Sequence, residues 1–314
     1  MINYQVKIRP FLHLVLGAIV LGLTSCDREI ELVQSIDQEF PGISSLDIES
    51  AFLDVAYTGD PNKQNVRLVG SLESNRTGNY SIEYRVDGDK LIIEVERRGM
   101  GTGKNRGYLN LTGPELMNLD LEAGSGNVLI NRVISKQFEF DGGSGNVELN
   151  NISAPIIELE LSSGKILASN LVGNVELEIS SGNATISKLD GNMNAVGSSG
   201  KFTFSEINGK VNSSLNSGNG ELNKVQDIGK LKISSGNYSV KDSFLGATTR
   251  FEGSSGNFDI QTGSNLQDFN FDLKSSSGNI TVGESSSSGS LKINNGSPYT
   301  VSGVVSSGNI RIRN

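Results

Sequence analysis

Eight carboxylates occur as four pairs two residues apart: Asp120 with Glu122, Glu139 with Asp141, Glu158 with Glu160, and Glu176 with Glu178. Each pair is interleaved with apolar residues, as in Ile157-Glu158-Leu159-Glu160, and successive pairs lie 19, 19 and 18 residues apart. In a strand, residues two apart share a face. If the strands stack in register, the pairs become a two-column ladder with a spacing of about 4.8 Å. Like charges this close repel by roughly 1 kcal/mol per neighbouring pair in water, so a cation would relieve them. Oxygen-only ligands suit a hard ion, which makes Ca2+ the cofactor this pattern admits, or else a cationic partner. The other use of such a run is a solvated face with loose counterions. Further along, the same positions carry Asn194, Val196, Asn212 and Ser214, and then the sign reverses at Lys230, Lys232, Arg250 and Lys274.

Other reactive side chains are scarce. The one histidine is His13 and the one cysteine is Cys26, both near the N-terminus. Without them there is no histidine base, thiol nucleophile, Ser-His-Asp triad or ordinary zinc site, and no residue is assigned a catalytic role. Histidine-free β-helical lyases and hydrolases exist, but the repeats here are short and leave little chain for a substrate cleft. The Gly99 to Gly103 turn has no following helix, as a phosphate loop would require.

The first residues combine Lys7 and Arg9 with an apolar run from Phe11 to Leu23 and then Leu23-Thr24-Ser25-Cys26. That order predicts a signal peptide over 1–25, its apolar run being too short to span a bilayer. Leu-Thr-Ser-Cys resembles the bacterial lipobox, which implies lipidation of Cys26 and a tether over 26–37. Removing Lys7 and Arg9 takes the formal charge from −8 to −10. An acidic body argues against nucleic acid as a partner; the membrane, reached through lipid on Cys26, is the expected one. Asp27 fits inner-membrane retention in enteric bacteria, and an acidic stretch there fits surface export in other lineages. The expected address is the cell envelope, at the outer membrane or surface rather than the inner membrane.

The carboxylates belong to a longer pattern. Turns centred on Gly126, Gly145, Gly164, Gly182, Gly200, Gly218, Gly236, Gly256 and Gly278, then Asn294-Asn295-Gly296 and Gly308, follow at steps of 19, 19, 18, 18, 18, 18, 20, 22, 18 and 12. Apolar residues alternate on both sides of each turn, and no Asp, Glu, Lys or Arg enters those columns from Leu119 to Ile312. A strand pair this short cannot hide its apolar side alone, whereas stacked rungs can. The fold expected is all-β: a single-stranded parallel β-helix of roughly 18-residue rungs over 117–314, preceded by irregular β rungs over 38–116. Eleven stacked turns would give a rod on the order of 50 Å tall. A sharp corner with positive φ or close backbone approach explains the glycines, and the asparagines beside them can bond along a ladder.

Phe40-Pro41-Gly42-Ile43 leading to Leu46-Asp47-Ile48, Asp54 to Asp60, Val86 to Ile93, Leu109-Asn110-Leu111 and the Ser-Gly-Asn rungs resemble the putative auto-transporter adhesin head (GIN) domain family. The resemblance spans nearly all of the chain after Cys26 and implies a right-handed β-helix in the envelope. The function expected is a non-enzymatic, lipid-anchored envelope protein, adhesin-like or scaffolding, with an unidentified protein or glycan ligand. An envelope-stress sensor or regulatory partner is the first alternative, and a carbohydrate-active β-helix enzyme the second.

Overall fold

Alternation of apolar and polar residues makes the strands here, and glycine and asparagine turn them at the corners. The computed structural model describes residues 29–100 and 103–314. The expected leader over 1–25 and Cys26 lie outside the described residues. Among the described residues sixteen strands join in one sheet, and the remaining regular element is a 3-10 turn at Leu266–Asp268.

The regular part begins with β8 (Asn118–Ala123) and β9 (Val128–Ile134). It continues through two strands that bend round corners without breaking, β10 (Phe138–Asp190) and β11 (Met193–Ser243), and then β12 (Leu245–Thr262). Their pairing is parallel and in register: Val175 faces Met193, Gly182 faces Gly200 and Leu189 faces Ile207. The inward columns are buried throughout, including Leu119, Phe138, Ile157, Val175, Met193 and Leu231. Where a small residue enters a column, a large neighbour takes its space. A side chain at Gly220 would collide with the Tyr238 ring, whose buried hydroxyl sits 2.7 Å from that of Ser213. The hydroxyls satisfy each other, as burial demands.

The turn glycines have two reasons to be glycine. Gly164, Gly182, Gly200, Gly218 and Gly236 have φ between 127° and 157°. A methyl on Gly200 would also overlap the carbonyl oxygen of Gly182 one rung away. The adjacent asparagines bond along the stack, with Asn146 Nδ2 donating to Asn127 Oδ1 at 3.1 Å and Asn257 Nδ2 to Asn237 Oδ1 at 2.9 Å. A second left-handed column, six residues after each glycine, was not apparent in the sequence. Arg132, Asn151, Asn170, Lys188, Glu206, Lys224 and Asp242 hold φ between 48° and 60°. None is β-branched, and that is the one signal the sequence offers for this corner.

Chain order and stacking order part at both ends. The N-terminal strands are β1 (Glu31–Pro41), β2 (Ser45–Glu49), β3 (Asp54–Gly59), β4 (Asn65–Ser74), β5 (Tyr80–Asp87), β6 (Lys90–Arg97) and β7 (Asn105–Gly113). β2 lies between β6 and β8, and β3 between β7 and β9, all parallel. So 45–59 supplies a full rung next to the regular stack. β5 covers β6, and β4 with β1 covers β7, in antiparallel fashion that closes the open edge. Strand β1 starts at Glu31, so the tether expected to run to residue 37 gives way to a paired strand whose Ile36 is buried.

At the other end come β13 (Asn270–Val282), β14 (Ser285–Ile293), β15 (Thr300–Ser307) and β16 (Ile310–Arg313). The last two insert between β12 and β13, and β14 caps β13 antiparallel. Gly308 therefore stacks between Gly256 and Gly278, with Asn309 donating from its backbone to Asn257 Oδ1 at 2.9 Å and accepting from Asn279 N at 2.9 Å. Asn294-Asn295-Gly296 is no rung turn. Asn295 instead holds a loop, donating to the Phe269 carbonyl at 2.8 Å. The step of 12 residues thus reflects a chain that doubles back to fill a vacant rung.

Candidate functional site: a carboxylate face

The eight predicted carboxylates come together on one outward face. Glu139 lies beside Asp120 and Asp141 beside Glu122, in parallel register. Most of the eight are exposed, Glu139 being half-buried. The face is longer than the sequence reading allowed. Strand β2 places Asp47 beside Asp120 and Glu49 beside Glu122, and β6 sets Glu94 beside Glu49. The signal was present: Leu46-Asp47-Ile48-Glu49 has the same alternation as Leu119-Asp120-Leu121-Glu122. It was missed because 72 intervening residues hid the adjacency, and only the interleaved stacking order restores it.

Partners sit at the ends of the ladder. At one end Lys90 Nζ is 3.1 Å from Asp47 and Arg85 is 3.2 Å from Glu94. At the other, Asn194 Nδ2 donates to Glu176 at 2.7 Å and Asn212 Nδ2 donates to Asn194 Oδ1 at 2.9 Å. Between them, the side chains of Glu49, Asp120, Glu122, Asp141, Glu158, Glu160 and Glu178 make no hydrogen bond or ion pair among the described residues. Burial along the packed face, and then the neighbouring charges Asp141, Glu178, Glu139 and Glu158, hold the Glu160 carboxyl above its ordinary value. Glu49 is raised by burial and by Glu122, Glu94, Asp47 and Asp120. Asp120 is raised by burial, Glu139 and Asp47, with Lys90 opposing.

Glu158, Glu160, Glu176 and Glu178 also line a shallow groove of about 330 Å³ with Asn194 and Val196. Among the described residues, no three Asp, Glu, His or Cys side chains converge closely enough to cage a metal ion. What the face offers is a regular field of negative charge on a stiff backbone, rather than a chelating pocket. Also among the described residues, no helix is long and apolar enough to cross a membrane.

The sequence pattern of the Toastrack DUF4097 family matches residues 43–313. This chain belongs to that family. The Toastrack match takes in the interleaved N-terminal rung as well as the regular stack, so the whole ladder lies inside it. A search of curated proteins gives no match. Among solved structures the chain is similar to a "putative adhesin" from Parabacteroides distasonis, at 12% identity over 91% of this chain and 98% of that one, with a TM-score of 0.49. It is also similar to a "putative cell adhesion protein" from Clostridium sporogenes, at 13% identity over 89% and 99% of the two chains, with a TM-score of 0.20.

Proposed function

We propose that this Toastrack protein is a non-enzymatic, adhesin-like binding scaffold of the bacterial cell envelope, tethered by lipid on Cys26, and that the carboxylate face is its binding surface. One observation carries the reading: seven carboxylates of one face have no partner among the described residues, along a stack whose backbone is bonded from rung to rung. Such an array costs stability, and a cationic partner or divalent counterions would offset that cost. Ca2+ would act here as a shared counterion between rungs, since no caged site is formed. Outer-membrane or surface display is the matching address, because the face needs open access to its partner.

Thermal unfolding of the soluble chain 27–314 with and without Ca2+ tests the binding surface. Wild type is expected to gain melting temperature with Ca2+, and the Glu158, Glu160, Glu176, Glu178→Gln variant to gain little. An equal gain in both leaves only a solvated face. Turnover of any polysaccharide by the same chain would overturn the non-enzymatic part.

A further inference from the structure

The repeat keeps to 18 or 19 residues until Gly236, where the next two steps lengthen to 20 and 22. A solenoid rung cannot absorb extra residues inside its core, so they emerge as loops. The lengthened steps, together with the loop before β15, border a groove of about 700 Å³ lined by Phe244, Gln267, Asp268, Phe269, Pro298 and Tyr299. Two aromatic side chains stand open at this groove, Phe244 at 48% exposure and Tyr299 at 49%. An aromatic ring offers a large apolar contact area, and a tyrosine adds a polar handle at its tip.

Both rings are held in place. The Phe244 ring lies against the bare Cα of Gly263, where a side chain would collide with it. Its backbone N–H donates to Val225 O at 2.9 Å, and its carbonyl accepts from Ile228 N at 2.9 Å. Tyr299 packs its ring 6.4 Å from that of buried Phe269, and its N–H donates to Ser297 Oγ at 3.0 Å. The polar rim is equally fixed: Asn265 Oδ1 caps the 3-10 turn and its Nδ2 donates to Asp268 Oδ1 at 3.1 Å. Capacity remains on the Gln267 amide, the second Asp268 oxygen and the Tyr299 hydroxyl, none of which has a partner among the described residues. A site with its side chains already ordered loses little entropy on binding.

The lining selects a class of ligand. It contains no lysine or arginine, so nothing neutralises a phosphate or carboxylate. Its only ionisable acid is already shared with Asn265. Aromatic rings beside amide and carboxylate groups match a molecule with an apolar face and a rim of hydroxyls. We propose that this groove binds a neutral pyranose glycan, its ring faces on Phe244 and Tyr299 and its hydroxyls on Gln267 and Asp268. The proposal goes beyond the binding role given above, adding a surface separate from the carboxylate face.

The test uses the full chain in a non-glycosidic detergent, titrated with neutral hexasaccharides of β-1,4-glucose, β-1,4-xylose, α-1,6-mannose and β-1,4-N-acetylglucosamine. Saturation-transfer NMR reports contact and calorimetry reports affinity. At least one hexasaccharide is expected to bind. Phe244→Ala and Tyr299→Ala are each expected to weaken it about three- to tenfold. Gln267→Ala should weaken it by a similar factor. Both rings are half exposed, so these variants should melt with wild type. No binding of any hexasaccharide overturns the proposal, as does binding that survives both aromatic substitutions unchanged. The four-glutamine variant of the carboxylate face should bind sugar like wild type, so the two surfaces fail separately.

Discussion

Rungs from Asp47 to Glu178 and rungs from Lys230 to Lys274 share one backbone plan and differ in the charge of the same outward columns, acidic in the first and mixed in the second. In both, parallel register holds the stack, and from Gly126 onward glycine makes the corner. In the later rungs Glu252 sits 2.8 Å from Lys230 and 2.7 Å from Arg250, and hydrogen bonding to Lys230 holds its carboxyl below the ordinary value. In the earlier rungs Glu49, Asp120 and Glu160 lie above theirs. The fold accepts either arrangement, and folding alone favours the mixed one. An unpaired face of one sign is therefore no gain to folding.

The comparison breaks first at its backbone. Gly164→Ala and Gly236→Ala, one in each region, should each lower unfolding free energy by about 2–4 kcal/mol in urea titrations, because a methyl overlaps the carbonyl of the neighbouring rung. Unequal losses would mean that the two regions do not share one plan.

Charge removal should then act with opposite signs. The Glu158, Glu160, Glu176, Glu178→Gln variant is expected to be more stable than wild type at neutral pH and low salt, by up to about 1 kcal/mol per relieved pair. Glu252→Gln should lose about 0.5 kcal/mol, as partly exposed ion pairs do. A loss in both variants would remove the electrostatic contrast.

The smallest effect is on pH. A folded-state pKa above the unfolded one means that the folded chain binds more protons. Stability should therefore rise as pH falls from neutral through the raised value of Glu160 and level off near its ordinary 4.5. Glu252 runs the other way, its contribution being present above 4.5 and lost as pH falls through its lowered value. Melting curves between neutral pH and pH 5 should show the net rise in wild type and a smaller one in the four-glutamine variant, which keeps Glu49 and Asp120. About 0.5 M NaCl should flatten the difference by screening.

Much of this was legible in the residues because a period of two on either side of a glycine has few structural solutions. Gly182 and its copies gave the rung, the inward columns from Leu119 onward gave the core, and Asp120 to Glu178 gave the start of the ladder. Asp47 and Glu49 were harder to place. They belong to a rung built from 45–59, and the chain makes the neighbouring rung, β6 with β7, only after laying down β4 and β5. The groove at Phe244 and Tyr299 left a fainter mark, a lengthening of two steps in the repeat, with no sign that residues 244 and 299 would meet.

By itself, the sequence determined the rung: its length, its inward and outward sides and the residue its corner requires, all set by local sterics and the burial of alternate side chains. Stacking order was decided only in three dimensions. A rung is nearly self-similar and pairs well with many others, so the choice of neighbour falls to the ends, where unpaired edges must be covered. Covering them sent β2 between β6 and β8 and drew β15 and β16 back between β12 and β13. That order lengthened the carboxylate face and placed Tyr299 beside the groove of Phe244.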